Sequence, residues 1–338
     1  MQREPKKIAI VGLGRQGLEH FHAALALEEA GDINIVALCD SKQNNLDKFK
    51  CSGYLLYDDY NHLFNNENID AVIIATPNFT HFDIAQQALK KKIHVLKEKP
   101  LSLTIEEGTC LIRLAKENNC IFKTAQQREY HPAYQTAKNW LKNIGKIRYF
   151  DYFFSLNDLT KSWYWNKQQG GGCWPGLGWH GCWILAYFLG IPSRIKLSKI
   201  SGKKRLHLSD TEDTCILDCS YQNGVVARLF LSVVFPDKKE ELIIEGEFGL
   251  IKLTRDALTL YDVNGTPINT RSAKYAQNIV MGNQLKSFID SISNDVYLSD
   301  KNAMNALYVF EAGSQSKGQF IQASPHVLSS VVEKAANM

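Results

Sequence analysis

The chain has 338 residues, of which 45% are hydrophobic and 22% are charged. This composition excludes a disordered or fibrous protein, and the length suits two domains that each bury a sizeable core. Basic and acidic residues alternate along the chain and leave a formal net charge of only +4, which excludes a basic stripe for nucleic acid.

Cysteine spacing and the apolar runs bear on compartment and targeting. The 8 cysteines are scattered without CxxC pairs, which indicates reduced thiols and a cytoplasmic protein. The first apolar run breaks at Gly12 and leads into a helix, so we expect no secretory leader. The apolar run that starts at Trp183 is far shorter than the ~20 residues of a membrane span, so we expect no membrane association.

From Lys7 onward, apolar runs alternate with segments of helical period. Near-continuous Val, Ile and Leu runs are typical of parallel strands covered on both faces. The predicted strands are IAIV, INIVAL, YLLY, AVIIATP, IHVLKEKP and IFKTA. Helices are predicted after Thr80 and after Thr104, where Thr104 and Glu107 form a capping box. The pattern predicts a Rossmann-type, doubly wound α/β domain over residues 1–125.

The first strand is followed by GLGRQG, which has the G-x-G-x-x-G spacing of a dinucleotide-binding turn. Glycine is needed there because the turn is tight and a pyrophosphate approaches the backbone closely. The second strand ends at Asp40, whose carboxylate can accept hydrogen bonds from the adenosine ribose and favours NAD. Lys42 keeps NADP as an alternative, and a helix cap is the structural alternative for Asp40. The predicted cofactor contacts here are Gly12, Leu13, Gly14, Arg15, Gln16, Gly17 and Asp40.

Two further stretches, ATPNFTH at 75–81 and HVLKEKP at 94–100, end the fourth and fifth strands. Open α/β sheets bind ligands at the carboxyl ends of their strands, so both stretches belong to the expected ligand side. Taken in order with GLGRQG, Asp40, QREYHPAY and a later GGG and histidine, they resemble the glucose-fructose oxidoreductase/inositol dehydrogenase family, often called Gfo/Idh/MocA. The resemblance extends over nearly the whole chain.

The resemblance implies a pyridine-nucleotide enzyme that oxidises a hydroxyl or reduces a carbonyl, usually on a sugar, sugar derivative or cyclitol. It places the lysine of EKP, Lys99, beside the nicotinamide and the reacting oxygen as a catalytic residue. An ammonium there can stabilise a developing alkoxide or relay its proton. The structural alternative is a solvated lysine before a turn proline. The other cofactor contacts predicted on this basis are Thr76, Pro77, Asn78, His81, Glu98 and Gln127, together with Lys99 itself.

After Gln127 the apolar residues alternate as in half-buried strands. DTCILDCSYQNGVVARLFLSVVF predicts a hairpin turning at Asn223-Gly224, and further strands and two C-terminal helices follow. We predict an α+β domain with a largely antiparallel open sheet over residues 126–338, for substrate binding and oligomerisation. The last helices pack on this sheet or back on the first domain. The resemblance implies a homo-oligomer, a dimer or tetramer formed through the outer face of the sheet.

The segment GGGCWPGLGWHGCW, residues 170–183, crowds glycines before His180. In the resembled family an aspartate and, four residues later, a histidine follow such a run; here these positions are Gly176 and His180. Three alternatives follow. His180 is the acid/base and is held by another group; Lys99 transfers the proton and His180 binds substrate; or the chain binds NAD without turnover. We favour the first two together, and we expect the glycines to let the loop approach cofactor and substrate.

The remaining predictions concern the pocket. The cluster Trp163, Tyr164, Trp165, Trp174, Trp179 and Trp183 is expected to lie mostly in the core, with Trp165 and Trp179 as candidates to stack on a sugar ring. Arg128 and Tyr130 are substrate-pocket candidates, with a surface loop as the alternative. No metal is expected, because Cys173, His180 and Cys182 lack a fourth ligand. A non-sugar reductase resembling biliverdin reductase and a silent NAD-binding regulator are the alternative functions.

Overall fold

The structure is a computed structural model and describes residues 4–157, 171–202, 211–294 and 300–323. These residues divide into two units. The first unit contains residues 4–131, 275–294 and 300–301, and the second contains residues 132–157, 171–202, 211–274 and 302–323. Each unit is built around one sheet.

The first unit contains a six-stranded parallel sheet in the order β3-β2-β1-β4-β5-β6. Its strands are β1 Lys6–Val11, β2 Ile33–Cys39, β3 Leu55–Tyr57, β4 Ala71–Ile74, β5 His94–Glu98 and β6 Phe122–Ala125. The strand order reverses between β1 and β4, which is the doubly wound arrangement with its ligand crevice at the carboxyl ends of these strands. The predicted Rossmann-type domain is therefore confirmed.

The helices of both units follow in chain order. They are α1 Arg15–Glu29, α2 Gln43–Leu46, α3 Tyr60–Asn66, α4 His81–Lys90, α5 Ile105–Glu117, α6 Pro132–Trp140, α7 Trp179–Leu189, α8 Gln277–Ser293 and α9 Lys301–Gln315. Thr104 caps α5 by accepting a hydrogen bond from the Glu107 backbone N–H at 3.2 Å, as predicted. The Glu107 carboxylate accepts from the Leu103 N–H at 3.1 Å rather than from Thr104, so the capping box is shifted by one residue.

The core of the first unit contains residues of its sheet together with residues of α8, a helix that lies far from these strands in sequence. Ile10 and Leu96, on β1 and β5, are fully buried, and they share one apolar cluster with Leu285 and Phe288 of α8. Because α8 has an apolar stripe that must be buried, it packs on this sheet about 180 residues after β5. None of the helices in the described part of the chain has the length and apolar character that a membrane crossing needs.

The second unit contains a nine-stranded sheet in the order β14-β13-β12-β11-β7-β10-β9-β8-β15. Its strands are β7 Ile147–Ser155, β8 Arg194–Ile200, β9 Thr214–Ser220, β10 Val226–Ser232, β11 Glu240–Gly246, β12 Gly249–Thr254, β13 Ala257–Asp262, β14 Pro267–Ser272 and β15 Ile321–Gln322. The sheet is antiparallel except for the pair β7 and β10, which confirms a largely antiparallel sheet. The predicted hairpin turn is present, with Gly224 at φ 88° between β9 and β10.

One face of this sheet is apolar and carries α7. Leu229 and Leu231 of β10 are completely buried on that face, and they alternate with outward-facing Arg228 and Phe230. A Cβ atom added to Gly181 of α7 would lie 3.0 Å from Leu229, so the missing side chain lets the helix lie directly on the sheet. The second unit thus buries α7 and leaves the opposite sheet face outward.

Candidate functional site

The glycine motif forms the tight strand-to-helix turn that its spacing predicts. Gly12 has φ 95°, and an added Cβ there would lie 2.6 Å from the carbonyl of Ala75. A Cβ on Gly17 would lie 1.8 Å from the carbonyl oxygen of Gly12. Side chains at either position are excluded, because α1, the turn and the residue after β4 touch through their backbones.

Gly14 differs from the other two glycines because its missing side chain faces open space. It is the N-cap of α1, an added Cβ would meet nothing within 4 Å, and no side chain of the described residues caps this helix. The amino end of a helix carries partial positive charge and free N–H groups, which suit a phosphate group. Arg15 is exposed beside this end, and Gln16 Nε2 donates to Glu19 at 3.0 Å. The residues present therefore fit a dinucleotide pyrophosphate.

Leu13 contributes to the turn through its backbone, since its side chain is completely buried. Its N–H donates to Asp40 Oδ2 at 2.7 Å. The same carboxylate accepts from Lys42 N–H at 2.8 Å and from Asn45 Nδ2 at 3.0 Å. Lys42 is the N-cap of α2 and donates its N–H to Asp40, so the ribose contact and the structural role at this helix both stay predictions for Asp40. A carboxylate has about four acceptor positions, so Asp40 retains capacity for a ribose hydroxyl beyond these three bonds.

The segment after β4 presents some predicted cofactor residues and buries another. Pro77 and Asn78 are exposed, and the Thr76 hydroxyl accepts from Thr80 at 2.7 Å. His81 is only 2% exposed, and its Nε2 donates to the Thr76 carbonyl at 2.8 Å. Burial, reinforced by the charge of Lys97, lowers the pKa of His81 to about 3, so the ring is neutral. The buried ring of His81 supports the loop 75–80 through its hydrogen bond to Thr76. The predicted direct contact of His81 with the cofactor is therefore corrected to this supporting role.

Glu98 of the EKP motif is a buried carboxylate in a network that the sequence does not reveal. Its Oε1 accepts from His20 Nε2 at 2.8 Å and from Gln127 Nε2 at 3.4 Å. Burial raises the pKa of Glu98, but the bond to His20 and the charges of His20 and Lys99 outweigh it and leave the pKa below its usual value. Glu98 is therefore ionised and linked to Gln127, while Lys99 next to it is half-buried.

A second group of buried charges lies on β5 and β6, and sequence reasoning missed it. Lys97 is completely buried, and burial lowers its pKa to about 7. Lys123 is 4% exposed and lies 3.2 Å from Glu129 and 3.6 Å from Asp300. The only sequence signal for this group is a lysine inside an apolar strand run.

The turn Gln127–Tyr130 carries the pocket candidates of the first unit. Arg128 and Tyr130 are both half-buried, so neither is a free surface residue. Burial raises the pKa of Tyr130, while a hydrogen bond with Ser287 of α8 opposes this shift. The phenol is therefore protonated at neutral pH and is held by α8, and Arg128 and Tyr130 stay predictions as substrate ligands.

His180 lies in the first turn of α7, in the second unit. It is half-buried, and the ring of Phe154 meets it edge-on with 5.7 Å between centroids. The preceding residues Trp174–Gly178 form a π-helical turn that leads directly into α7. Such turns are frequent at functional sites. Gly176, in the position of the family aspartate, lies within this turn and is also half-buried.

Gly178, at the end of this turn, is required by packing, while the approach of the glycine run to cofactor and substrate stays a prediction. A Cβ on Gly178 would lie 2.8 Å from Trp174 and 2.9 Å from Phe310. Trp174 stacks on Phe310 with 4.9 Å between ring centroids and donates from Nε1 to Ser314 at 2.9 Å. The missing side chain of Gly178 thus makes room for a buried indole.

The tryptophans of the described chain are core residues. Trp174, Trp179 and Trp183 are each at most 2% exposed, as expected for most of the cluster. Trp179 therefore has no face available for a sugar ring in this structure, which contradicts its predicted role; the sequence pattern could not show which face of the helix meets the sheet. Trp163, Tyr164 and Trp165 lie outside the described residues.

Comparisons with known proteins give matches for both units. Residues 6–126 match a family model described as an oxidoreductase family with an NAD-binding Rossmann fold. Residues 134–252 match the model of the GFO/IDH/MocA C-terminal domain. The two matched segments follow each other along the chain and together cover most of its length.

Curated relatives include characterised and uncharacterised oxidoreductases. The uncharacterized oxidoreductase YdgJ of Escherichia coli is 29% identical over 52% of this chain and 51% of its own length. The scyllo-inositol 2-dehydrogenase (NAD(+)) of Bacillus subtilis is 26% identical over 59% of this chain and 57% of its own. The myo-inositol 2-dehydrogenase of Thermotoga maritima is 31% identical over 41% of this chain and 42% of its own. The matches thus span about half the length of these relatives.

Solved structures share the fold across nearly the whole chain. Levoglucosan dehydrogenase in complex with NADH and levoglucosan has a TM-score of 0.83 at 18% identity, covering 94% of this chain and 99% of that one. The myo-inositol 2-dehydrogenase from Lactobacillus plantarum has a TM-score of 0.79 at 22% identity, with coverage of 94% and 99%. At these identities the likeness shows the fold alone.

Proposed function

This chain belongs to the GFO/IDH/MocA family of oxidoreductases, and from that membership we propose that it is an NAD-dependent dehydrogenase or reductase. The observation that carries the proposal is the turn at Gly14, which is open to a ligand at the uncapped amino end of α1. When bound, NAD supplies or accepts hydride at the carbon that bears the reacting oxygen. Asp40 beside the same turn supports NAD over NADP, since a 2′-phosphate is repelled by a carboxylate.

Lys99 is proposed as the group that handles the proton. Loss of hydride from a carbinol carbon requires the proton on its oxygen to leave, and an ammonium at that oxygen stabilises the alkoxide or relays the proton. The neighbouring Glu98 supports this role, because its buried carboxylate accepts from the Lys99 N–H and fixes the backbone there. His180 is proposed to hold the substrate hydroxyl and to assist the proton transfer, without the family carboxylate at Gly176.

The proposed substrates are sugars, sugar derivatives including nucleotide-linked ones, and cyclitols. Support comes from relatives named as dehydrogenases of scyllo-inositol and myo-inositol, and of levoglucosan among the solved structures. A catalytically silent NAD-binding regulator is the second candidate, and Gly176 is the observation that favours it, because glycine cannot orient His180.

A substrate screen separates the two candidates. Purified protein is incubated with NAD or NADP and a panel of sugars, sugar nucleotides and inositols, and the absorbance of reduced cofactor is followed. Turnover with one class supports the dehydrogenase. Tight NADH binding without turnover on any member supports the regulator.

Variants then test the roles of the two residues. We expect Lys99→Met to lower kcat by ~10²-fold or more while NADH binding changes little, because general acid/base groups contribute on this scale. His180→Ala is expected to raise KM and lower kcat together. Lys116→Met, the same exchange at an exposed position on α5, is the control. Wild-type turnover in both active-site variants would refute the assignment.

The outer face of the second sheet is proposed to mediate homo-oligomerisation. Phe153 and Phe230 stack there with 4.6 Å between centroids, and Val226 is 51% exposed. Light scattering on wild type and Val226→Glu tests this, with a shift to smaller species expected for the variant.

All 8 cysteines are free thiols, which supports the proposal of a reducing, cytoplasmic compartment.

A further inference from the structure

Lys97 is a lysine in the interior of the first unit, at the carboxyl end of β5. Its side chain is completely buried, and a buried ammonium is tolerated only where it finds partners. It finds three acceptors: the Glu98 carbonyl at 2.9 Å, the Pro100 carbonyl, and His81 Nδ1 at 3.5 Å. These match the three donors of an ammonium.

The two carbonyls that Lys97 binds flank Lys99. Glu98 and Pro100 are its neighbours in sequence, so one ammonium closes the turn in which Lys99 is the middle residue. A second constraint acts on the same turn, since the Lys99 N–H donates to the buried Glu98 carboxylate. The backbone that carries Lys99 is therefore held by two buried side chains, those of Lys97 and Glu98.

The third acceptor leads to a different loop. Because a carbonyl only accepts, the proton of His81 lies on Nε2 and is donated to Thr76 at 2.8 Å, which leaves Nδ1 free to accept from Lys97. Strand pairing makes this reach short, because Lys97 lies opposite Ile74 and Thr76 follows β4 by two residues. An unbroken series of hydrogen bonds thus joins the Thr76 loop to the Lys99 turn.

The carboxylates around Lys97 offset part of the cost of burying its ammonium. Burial, helped by the charge of Lys99, lowers the pKa of Lys97 to about 7, although the carboxylates of Asp300, Glu98 and Glu107 act in the opposite direction. His81 is neutral and adds no charge at neutral pH. A methionine at this position would avoid the desolvation of an ammonium, so packing alone does not account for the lysine.

We propose that Lys97 is a positioning residue for Lys99, and that it couples the turn 98–100 to the loop 75–80 through His81. This role depends on the catalytic role proposed above for Lys99. Since both segments are the proposed cofactor contacts after β4 and β5, Lys97 sets the relative placement of two parts of one binding site within the first unit.

Hydrogen–deuterium exchange tests the coupling without any substrate. We compare wild type, Lys97→Met and the exposed control Lys116→Met, and follow peptides that cover residues 75–81 and 98–103. The expected result is about tenfold faster exchange in both segments of Lys97→Met, with other strand peptides unchanged. NADH titration by fluorescence should show about tenfold weaker binding. Lys116→Met should match wild type in both measurements.

Two results overturn the coupling. Exchange in Lys97→Met that stays at the wild-type rate in either segment contradicts it, and so does an equal increase throughout the first unit. If Lys97→Met does not fold, Lys97→Gln is used, because its amide keeps donors for the two carbonyls but not the charge. In Lys97→Gln, amide exchange should therefore be slower in the 98–103 segment than in the 75–81 segment. An equal increase of the exchange rate in both segments refutes the proposed coupling.

Once a substrate is known, a double-mutant cycle tests the action on Lys99. Lys97→Met should lower kcat about tenfold or more in the wild-type background and less than about twofold in Lys99→Met, because a positioning effect needs its target. Equal losses in both backgrounds would show a general structural effect and overturn the assignment. If the proposed function is wrong, the wild-type protein shows no turnover. Hydrogen–deuterium exchange and NADH titration then still test the coupling between the turn 98–100 and the loop 75–80.

Discussion

Replacing Gly178 with alanine tests the packing around Trp174 in the second unit. Gly178 has a helical backbone, φ −55° and ψ −42°, so alanine at an open helical position would be stabilising by about 1 kcal/mol. Here the new Cβ would lie 2.8 Å from two indole carbons of Trp174 and 2.9 Å from Phe310. The indole cannot move away freely, because it stacks on Phe310 and donates to Ser314.

Overpacking of a well-filled core costs ~1–3 kcal/mol, which exceeds the gain in helix propensity. We therefore expect Gly178→Ala to lower the free energy of unfolding by about 1–2 kcal/mol. Gly282→Ala is the matched control, since Gly282 lies inside α8 and an added Cβ would meet nothing within 4 Å. That variant should gain about 0.5–1 kcal/mol.

Urea unfolding, followed by far-UV circular dichroism and tryptophan fluorescence, measures both variants against wild type. The fluorescence of Gly178→Ala should also change in the native state, because the added methyl displaces Trp174. A Gly178→Ala protein that is as stable as Gly282→Ala would refute the reasoning, since the space now assigned to the indole would then be free.

Three further predictions concern the first unit. Asp40→Asn should weaken NADH binding by about tenfold and reduce discrimination against NADPH, as measured by fluorescence titration with both cofactors. Because the pKa of Glu98 lies below its usual 4.5, its carboxylate stabilises the fold above the unfolded pKa and loses this contribution as the pH falls through the folded value. The difference in unfolding free energy between wild type and Glu98→Gln should therefore be constant near neutrality and shrink in acid; a constant difference down to strong acid contradicts this. Thr104→Ala should cost about 1 kcal/mol by removing the cap of α5, measured by thermal unfolding, and no change in Tm would count against the cap.

The fold is predictable from the sequence because its determinants are local. Near-continuous apolar runs, the GLGRQG turn and the Asn223-Gly224 hairpin each indicate their structure within a few residues. The parallel pairing of β7 with β10 is not predictable in this way, since it depends on a contact between residues about 75 positions apart. The same holds for α8, whose apolar stripe indicates a helix without showing which core it covers.

The motifs of the candidate site are predictable from the sequence, whereas the packing and burial of the residues around them are not. The spacing of Gly12, Gly14 and Gly17 predicts the turn, but it does not distinguish the two glycines required by packing from the one that is open. His81 and Trp179 were predicted as ligand contacts because they stand in or beside motifs, and both are 2% exposed. Burial of this kind is set by tertiary packing, which no short pattern encodes.

The buried charges on β5 and β6 connect these observations. Lys97 and Lys123 lie on neighbouring strands, where Lys97 is paired with Thr124 in the parallel register. Asp300 accepts from the Thr124 N–H at 2.8 Å and lies 3.6 Å from Lys123, so one carboxylate from a remote segment serves both the strand and a lysine. Buried ion pairs seldom add net stability over apolar residues of similar volume. Lys97 lies near the carboxyl end of β5, where an open α/β sheet binds its ligand, which favours a role for this lysine in fixing the geometry of the proposed site.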